Sequence, residues 1–160
     1  MLKKYLLLLL FIFYNPAFSA GTGSGGKEDY SHLIGKKQAN FKTGLIAINK
    51  AKKYTKKGKI KKAEEKFNKA VKFLTLANDE NPLQPDILNL LGFALRNVGD
   101  YPMAEIYYLQ GLEIEPSHVG INEYLGELYI KTNRISLAEE RLKVLETCKC
   151  QEFKDLKTLI

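Results

Sequence analysis

From about residue 40 onward, apolar side chains return every three or four positions. Ile60, Ala63, Phe67, Ala70, Val71, Leu74 and Ala77 form one stripe. Its period is 3.6 rather than 2, which predicts helix and excludes strand. The pattern is punctuated at regular points. Gly58, Gly99 and Asn133 fall where the chain must turn between helices. Pro85 and Pro102 suit first-turn positions, where a missing N–H costs nothing, and Ser117 is placed as an N-cap. These marks predict six helices, over 40–56, 60–79, 85–97, 101–114, 118–131 and 135–147. A last segment, "QEFKDLKTLI" (151–160), puts Phe153, Leu156 and Ile160 on one face and predicts a short capping helix. The fold class is all-α.

The pattern also repeats on a longer scale. "LGFALRNVGDYPMAEIYYLQGLEIEP" (91–116) aligns with "LGELYIKTNRISLAEERLKVLETC" (125–148) at an offset of 34 residues. Leu91-Gly92 matches Leu125-Gly126, Leu95 matches Tyr129, Ala104 matches Ala138, and Tyr108 matches Leu142. Self-similarity at such a period marks a solenoid of stacked units. The spacing resembles the tetratricopeptide repeat (TPR), a helix–turn–helix unit. Leu88, Leu91, Gly92, Ala104, Tyr108, Gly111 and Pro116 fit the family's pattern in the second unit, with Leu95 where an aromatic is usual. Leu125, Gly126, Tyr129, Ala138 and Leu142 fit in the third, which ends in Cys150 where proline is expected. A degenerate first unit keeps Ala51, Tyr54, Ala63, Phe67 and Ala70 but has Lys50 in place of the leucine. The resemblance implies a TPR domain over 39–160, with repeats at 41–84, 85–118 and 119–150 and the cap at 151–160. The glycine and alanine positions are those where two helices approach too closely for a larger side chain.

Composition changes the picture at the N-terminus. "MLKKYLLLLLFIFYNPAFSA" has two lysines, an apolar run from Tyr5 to Tyr14, and then small residues. That is the layout of a secretory signal peptide, with the cut expected after Ser19. The apolar run, about ten residues, is half of what a membrane-spanning helix needs. Residues 20–38, which begin "AGTGSGGKEDYSH", read as a flexible Gly/Ser-rich linker. The expected location is therefore periplasmic or secreted. Charge is polarised as well, within a net charge of +7. Between Lys27 and Ala77 there are fifteen lysines against four acids, and from Asn78 onward eight Lys/Arg against fourteen acids. Such a field steers anionic partners to one end, or favours head-to-tail contact with another copy.

No catalytic constellation emerges, and neither enzyme activity, a metal nor a cofactor is expected. His32 and His118 have no partner at ligand or triad spacing, and both read as solvated residues. "GTGSGG" follows no strand and lacks the lysine of a phosphate loop. The two cysteines, Cys148 and Cys150, keep three readings open: a local disulfide joining the last repeat to the cap, free or externally paired thiols, or a redox or metal site.

Function then falls to the groove that the TPR resemblance implies. Its candidate partner-binding residues are Asn89, Phe93, Arg96, Asn97, Glu123, Glu127 and Lys131, with Leu45, Ile48, Lys52, Thr55 and Lys56 as the corresponding positions of the first unit. Phe93 is the expected apolar point, and Asn89 and Asn97 the expected amide donors. Ile48, Gly120 and Tyr124 stand where the family's chaperone-tail clamp needs polar and basic groups, so that specialisation is not expected. The expectation is a protein-interaction module with an unidentified protein partner. The alternative is an envelope-surface binder whose Lys-rich first repeat docks on anionic lipid or cell-wall polymer. Nucleic acid is not an expected partner of an exported chain, and homo-oligomerisation through the opposed charges stays open.

Overall fold

The computed structural model describes residues 37–160. It contains seven helices: α1 (Lys37–Lys56), α2 (Ile60–Glu80), α3 (Pro85–Val98), α4 (Tyr101–Ile114), α5 (Val119–Lys131), α6 (Ile135–Leu145) and α7 (Gln151–Leu159). The expected signal peptide and His32 lie outside the described residues, as does the linker up to residue 36. Helix α1 starts at Lys37, two residues inside the segment expected to be linker. Among the described residues, no helix is long and apolar enough to cross a membrane.

The helices pair in chain order, α1 with α2, α3 with α4 and α5 with α6, and each pair packs on the next. The turns within pairs are short because their residues adopt left-handed backbone, with φ of 67° at Gly58, 92° at Gly99 and 60° at Asn133. Gly99 N–H bonds the Arg96 carbonyl at 3.2 Å, and Asp100 N–H bonds that of Leu95 at 3.0 Å, closing α3. Asp100 then caps the next helix, its carboxylate accepting from Met103 N–H at 3.2 Å.

Packing explains the small residues. A Cβ on Gly92 would lie 2.5 Å from the Tyr108 ring, one on Gly111 would lie 2.4 Å from Ile121, and one on Gly126 would lie 2.6 Å from Leu156. These three contacts hold, in turn, a pair together, one repeat to the next, and the last repeat to the cap. Leu91, Ala104, Tyr108, Leu125 and Ala138 are fully buried, and Tyr129 nearly so. Pro116 is exposed in the turn before α5, where its carbonyl accepts from the buried Asn122 amide at 3.0 Å. The core is continuous in two lobes. One is centred on α1–α3 and the other on α3–α6, with Val71, Tyr107 and Tyr124 touching both.

Four details differ from the sequence reading. Ile60 does not pack inward: it is the first residue of α2 and 63% exposed. Ile160 is 44% exposed, so Leu156 alone is fully buried in the cap. Helix α6 ends at Leu145, two residues early. The cap of α5 is His118 rather than Ser117, because the helix begins one residue later. The His118 Nδ1 accepts from Ile121 N–H at 3.1 Å, so Nε2 carries the hydrogen and points to Asp86 at 3.3 Å. His118 is thus a half-buried tie between α3 and α5, not a solvated residue. Cys148 and Cys150 are joined as a disulfide across the turn between α6 and α7, with Cα atoms 5.1 Å apart.

Candidate partner-binding groove

The inner surface is built from the first helix of each pair, α1, α3 and α5, with α7 in line after them. Its floor is aromatic. Phe93 on α3 meets Phe67 edge-on at 5.8 Å between ring centres, and Tyr124 on α5 at 4.9 Å. Two cations lie over this pair. The Lys52 ammonium sits 4.4 Å above the Phe93 ring and 3.5 Å from the Tyr124 hydroxyl. The Arg96 guanidinium lies 5.6 Å from the Phe93 ring and 5.3 Å from that of Tyr124, and is ion-paired with Glu127. Each such cation–ring contact contributes about 0.5–1 kcal/mol at a partly exposed site.

This arrangement revises the role of Phe93. At 8% exposure it is floor, roofed by Lys52, Arg96 and Tyr124, and is not an apolar point offered to a partner. Asn97 is exposed, but its amide donates to the Phe93 carbonyl of its own helix at 2.8 Å. Asn89 is half-buried at the seam of α3 and α5, and a Cβ on Gly120 would lie 2.8 Å from its amide nitrogen. The Asn89 carbonyl oxygen is buried without a hydrogen-bond partner, as is the Tyr108 hydroxyl beneath the floor. Lys131 is exposed, its ammonium 5.7 Å from the Tyr101 ring.

Burial also governs the charges. Loss of water pushes the Glu123 carboxyl up to about 7, and the nearby Glu127, Glu152 and Asp155 add to this while Arg96 opposes it. Two of those acids belong to the cap, so α7 sets the acidic side of the inner surface. Lys52 is held below the usual lysine value, first by desolvation, with Glu123 and Glu127 pulling the other way. Tyr124 is pushed up to about 12, again mainly by burial.

The open space lies beside this cluster, along the last turns of α1, α3 and α5. It is a cavity of about 720 Å³ whose walls include Thr55, Arg96, Asn97, Glu127, Ile130 and Lys131. Ile60 and Ala63 of α2 close one side, and Leu159 of the cap the other. Of the seven residues expected in the groove, Arg96, Asn97, Glu127 and Lys131 line this cavity, and Asn89, Phe93 and Glu123 do not. Sequence reasoning missed Ile60 and Leu159 as wall residues. Both are apolar side chains at helix ends, where a stripe has no neighbouring helix left to cover it.

Residues 85–118 match the family profile of the tetratricopeptide repeat, and they coincide with the α3–α4 pair and its following turn. That segment is a tetratricopeptide repeat. No curated protein matches the chain in sequence. Among solved structures, the chain resembles the first TPR of Spaghetti (RPAP3) bound to the HSP90 peptide SRMEEVD. That likeness has a TM-score of 0.53 and 19% identity, over 74% of this chain and 90% of that one. It also resembles the type III secretion translocator chaperone SycD of Yersinia enterocolitica, with a TM-score of 0.56 and 17% identity over 84% of this chain and 93% of that one. At these identities the likeness is one of fold, a TPR solenoid.

Proposed function

We propose that this TPR protein is a non-catalytic adaptor or assembly factor that holds a segment of a partner protein along the last turns of α1, α3, α5 and α7. The observation that carries this is the 720 Å³ cavity, which has exposed apolar side chains, Ile60 and Leu159, on two sides and polar groups between them. Apolar anchors flanking a few fixed polar groups are the usual make-up of a recognition site. Arg96 and Glu127 are already paired, so they fix the wall and leave Asn97, Lys131 and Thr55 to meet the ligand. Two TPR neighbours in fold, one bound to a peptide and one named as a chaperone, support the same reading. The signal-peptide pattern of residues 1–19 supports a partner in the periplasm or outside the cell.

The test uses exposed wall residues, since truncating Phe93 would open the core. A photo-crosslinker at Asn97 or Lys131 should capture the same partner, and one at Glu139 on the outer face should not. The double variant Asn97→Ala/Lys131→Glu should lose that partner while its thermal midpoint stays within about 2 °C of the parent, as expected for surface changes. Crosslinks of equal yield from Glu139, or unchanged capture by the double variant, reject the groove.

A further inference from the structure

The first hairpin has a second face, turned away from α3. Over Lys37–Glu80 the sequence holds thirteen lysines, no arginine and four acids. None of these lysines forms an ion pair among the described residues: all four ion pairs there lie between Asp86 and Arg141. On α1 the positions Ile46, Lys50 and Lys53 share one stripe, and on α2 so do Lys62, Lys66 and Lys69. The two stripes meet, because Ile46 and Lys50 line a shallow cleft together with Lys66 and Lys69. Ile46, at the centre of these charges, is 45% exposed.

We propose that this face docks the protein on an anionic lipid bilayer, with its lysines among the headgroup phosphates and Ile46 at the acyl boundary. Three features choose that occupant over other polyanions. Lysine without arginine gives mobile point charges suited to a diffuse anionic plane, not the rigid forks that read one carboxylate or phosphate. The cleft, at about 100 Å³, is too small to take an anchoring side-chain cluster from a folded partner. An exposed isoleucine ringed by lysines gains from an interface that is charged outside and apolar beneath, and gains nothing from a soluble polyanion. The face is separate from the groove and its occupation leaves the groove open.

Vesicle co-sedimentation of the full chain tests this. Phosphatidylcholine vesicles set the baseline, including any contribution of the apolar run Tyr5–Tyr14, and vesicles with about one-third phosphatidylglycerol supply the anionic plane. The full chain should partition to the anionic vesicles over the neutral ones, and the difference should vanish by about 0.5 M NaCl. Each lysine near such a surface is worth about five-fold in partitioning. Lys50→Glu/Lys66→Glu/Lys69→Glu should therefore lower it by about 100-fold or more, and Ile46→Ser by a further few-fold at unchanged charge. The control Lys143→Glu/Lys154→Glu/Lys157→Glu, equal in charge but on α6 and α7, should keep most of the binding. Equal partition to both vesicles, equal loss in the two triple variants, or indifference to Ile46→Ser overturns the proposal. So does tight binding of soluble polyphosphate or of a second copy of the chain, by sedimentation, without anionic-vesicle binding.

Discussion

The Glu123 carboxyl sits between the aromatic floor and the cap, with 7% of the residue exposed and no ion pair among the described residues. Folding raises its affinity for a proton, from the usual glutamate value of 4.5 to about 7. Within that window the native state holds a proton that the unfolded chain has lost. Stability therefore falls as pH rises from about 4.5 to about 7, and the loss is complete above the folded value. Glu123→Gln keeps the shape and removes the charge. By urea titration, the variant should be more stable than the parent at pH 8, by on the order of 1–2 kcal/mol, and near parity at pH 4.5. A variant less stable than the parent at pH 8 would show that the buried carboxylate is satisfied by its surroundings. Burial of this glutamate was not legible in the sequence. Its helix is apolar on most sides, and only the position of the cap, which brings Glu152 and Asp155 nearby, shows that water is excluded there.

Helices were legible almost to the residue, for a local reason. Their ends are written by Gly58, Gly99 and Asn133, which take positive φ, and by Pro85 at the first position of α3. These are backbone properties that do not depend on the partner helix. What failed was the assignment of individual side chains at helix ends and on the inner surface. The period places Phe93 on the inner face correctly, but only the long side chains of Lys52 and Arg96, from two different helices, decide that it is roofed. The stripe likewise includes Ile60, yet the first turn of α2 has nothing packed on it. The cap is the element with the clearest energetic role. Leu156 is fully buried against Gly126, so Leu156→Ala should cost about 2–5 kcal/mol. Hydrogen exchange should show the loss in α5–α7 first, because repeat proteins transmit stability between neighbours. An equal loss of protection in α1 and α2 would mean that the chain unfolds as a single unit.

The whole molecule is divided electrically. One hairpin carries unpaired lysines, and the rest carries the ion pairs, including a two-point contact of Arg134 with Glu105 at 2.8 Å through each nitrogen. Added salt acts on these two halves with opposite sign. It relieves repulsion within α1–α2 and weakens the pairs beyond Asp86. The Arg96–Glu127 and Arg134–Glu105 pairs are partly buried and so weakly screened, whereas the lysines are exposed and more numerous, so relief wins. The thermal midpoint should rise by a few degrees between about 20 and 300 mM NaCl, with hydrogen-exchange protection gained in α1–α2. A midpoint that falls over this range would mean that the ion pairs dominate.

The seat that Gly111 makes for Ile121 bears on how such a chain grows. The residue one period before Ile121 is Ile87, also isoleucine and also buried. A second copy of 85–118 inserted after residue 118 would set Ile87 of the new unit into the Gly111 seat of the old one. It would hand its own Gly111 to Ile121. No interface has to be invented at either junction. The inner surface would gain one further helix, and the lysine face at one end and the cap at the other would move apart unaltered. The seam between the second and third repeats is thus the place where this architecture can be lengthened by duplication, whereas at Gly126 the corresponding space is already filled by Leu156.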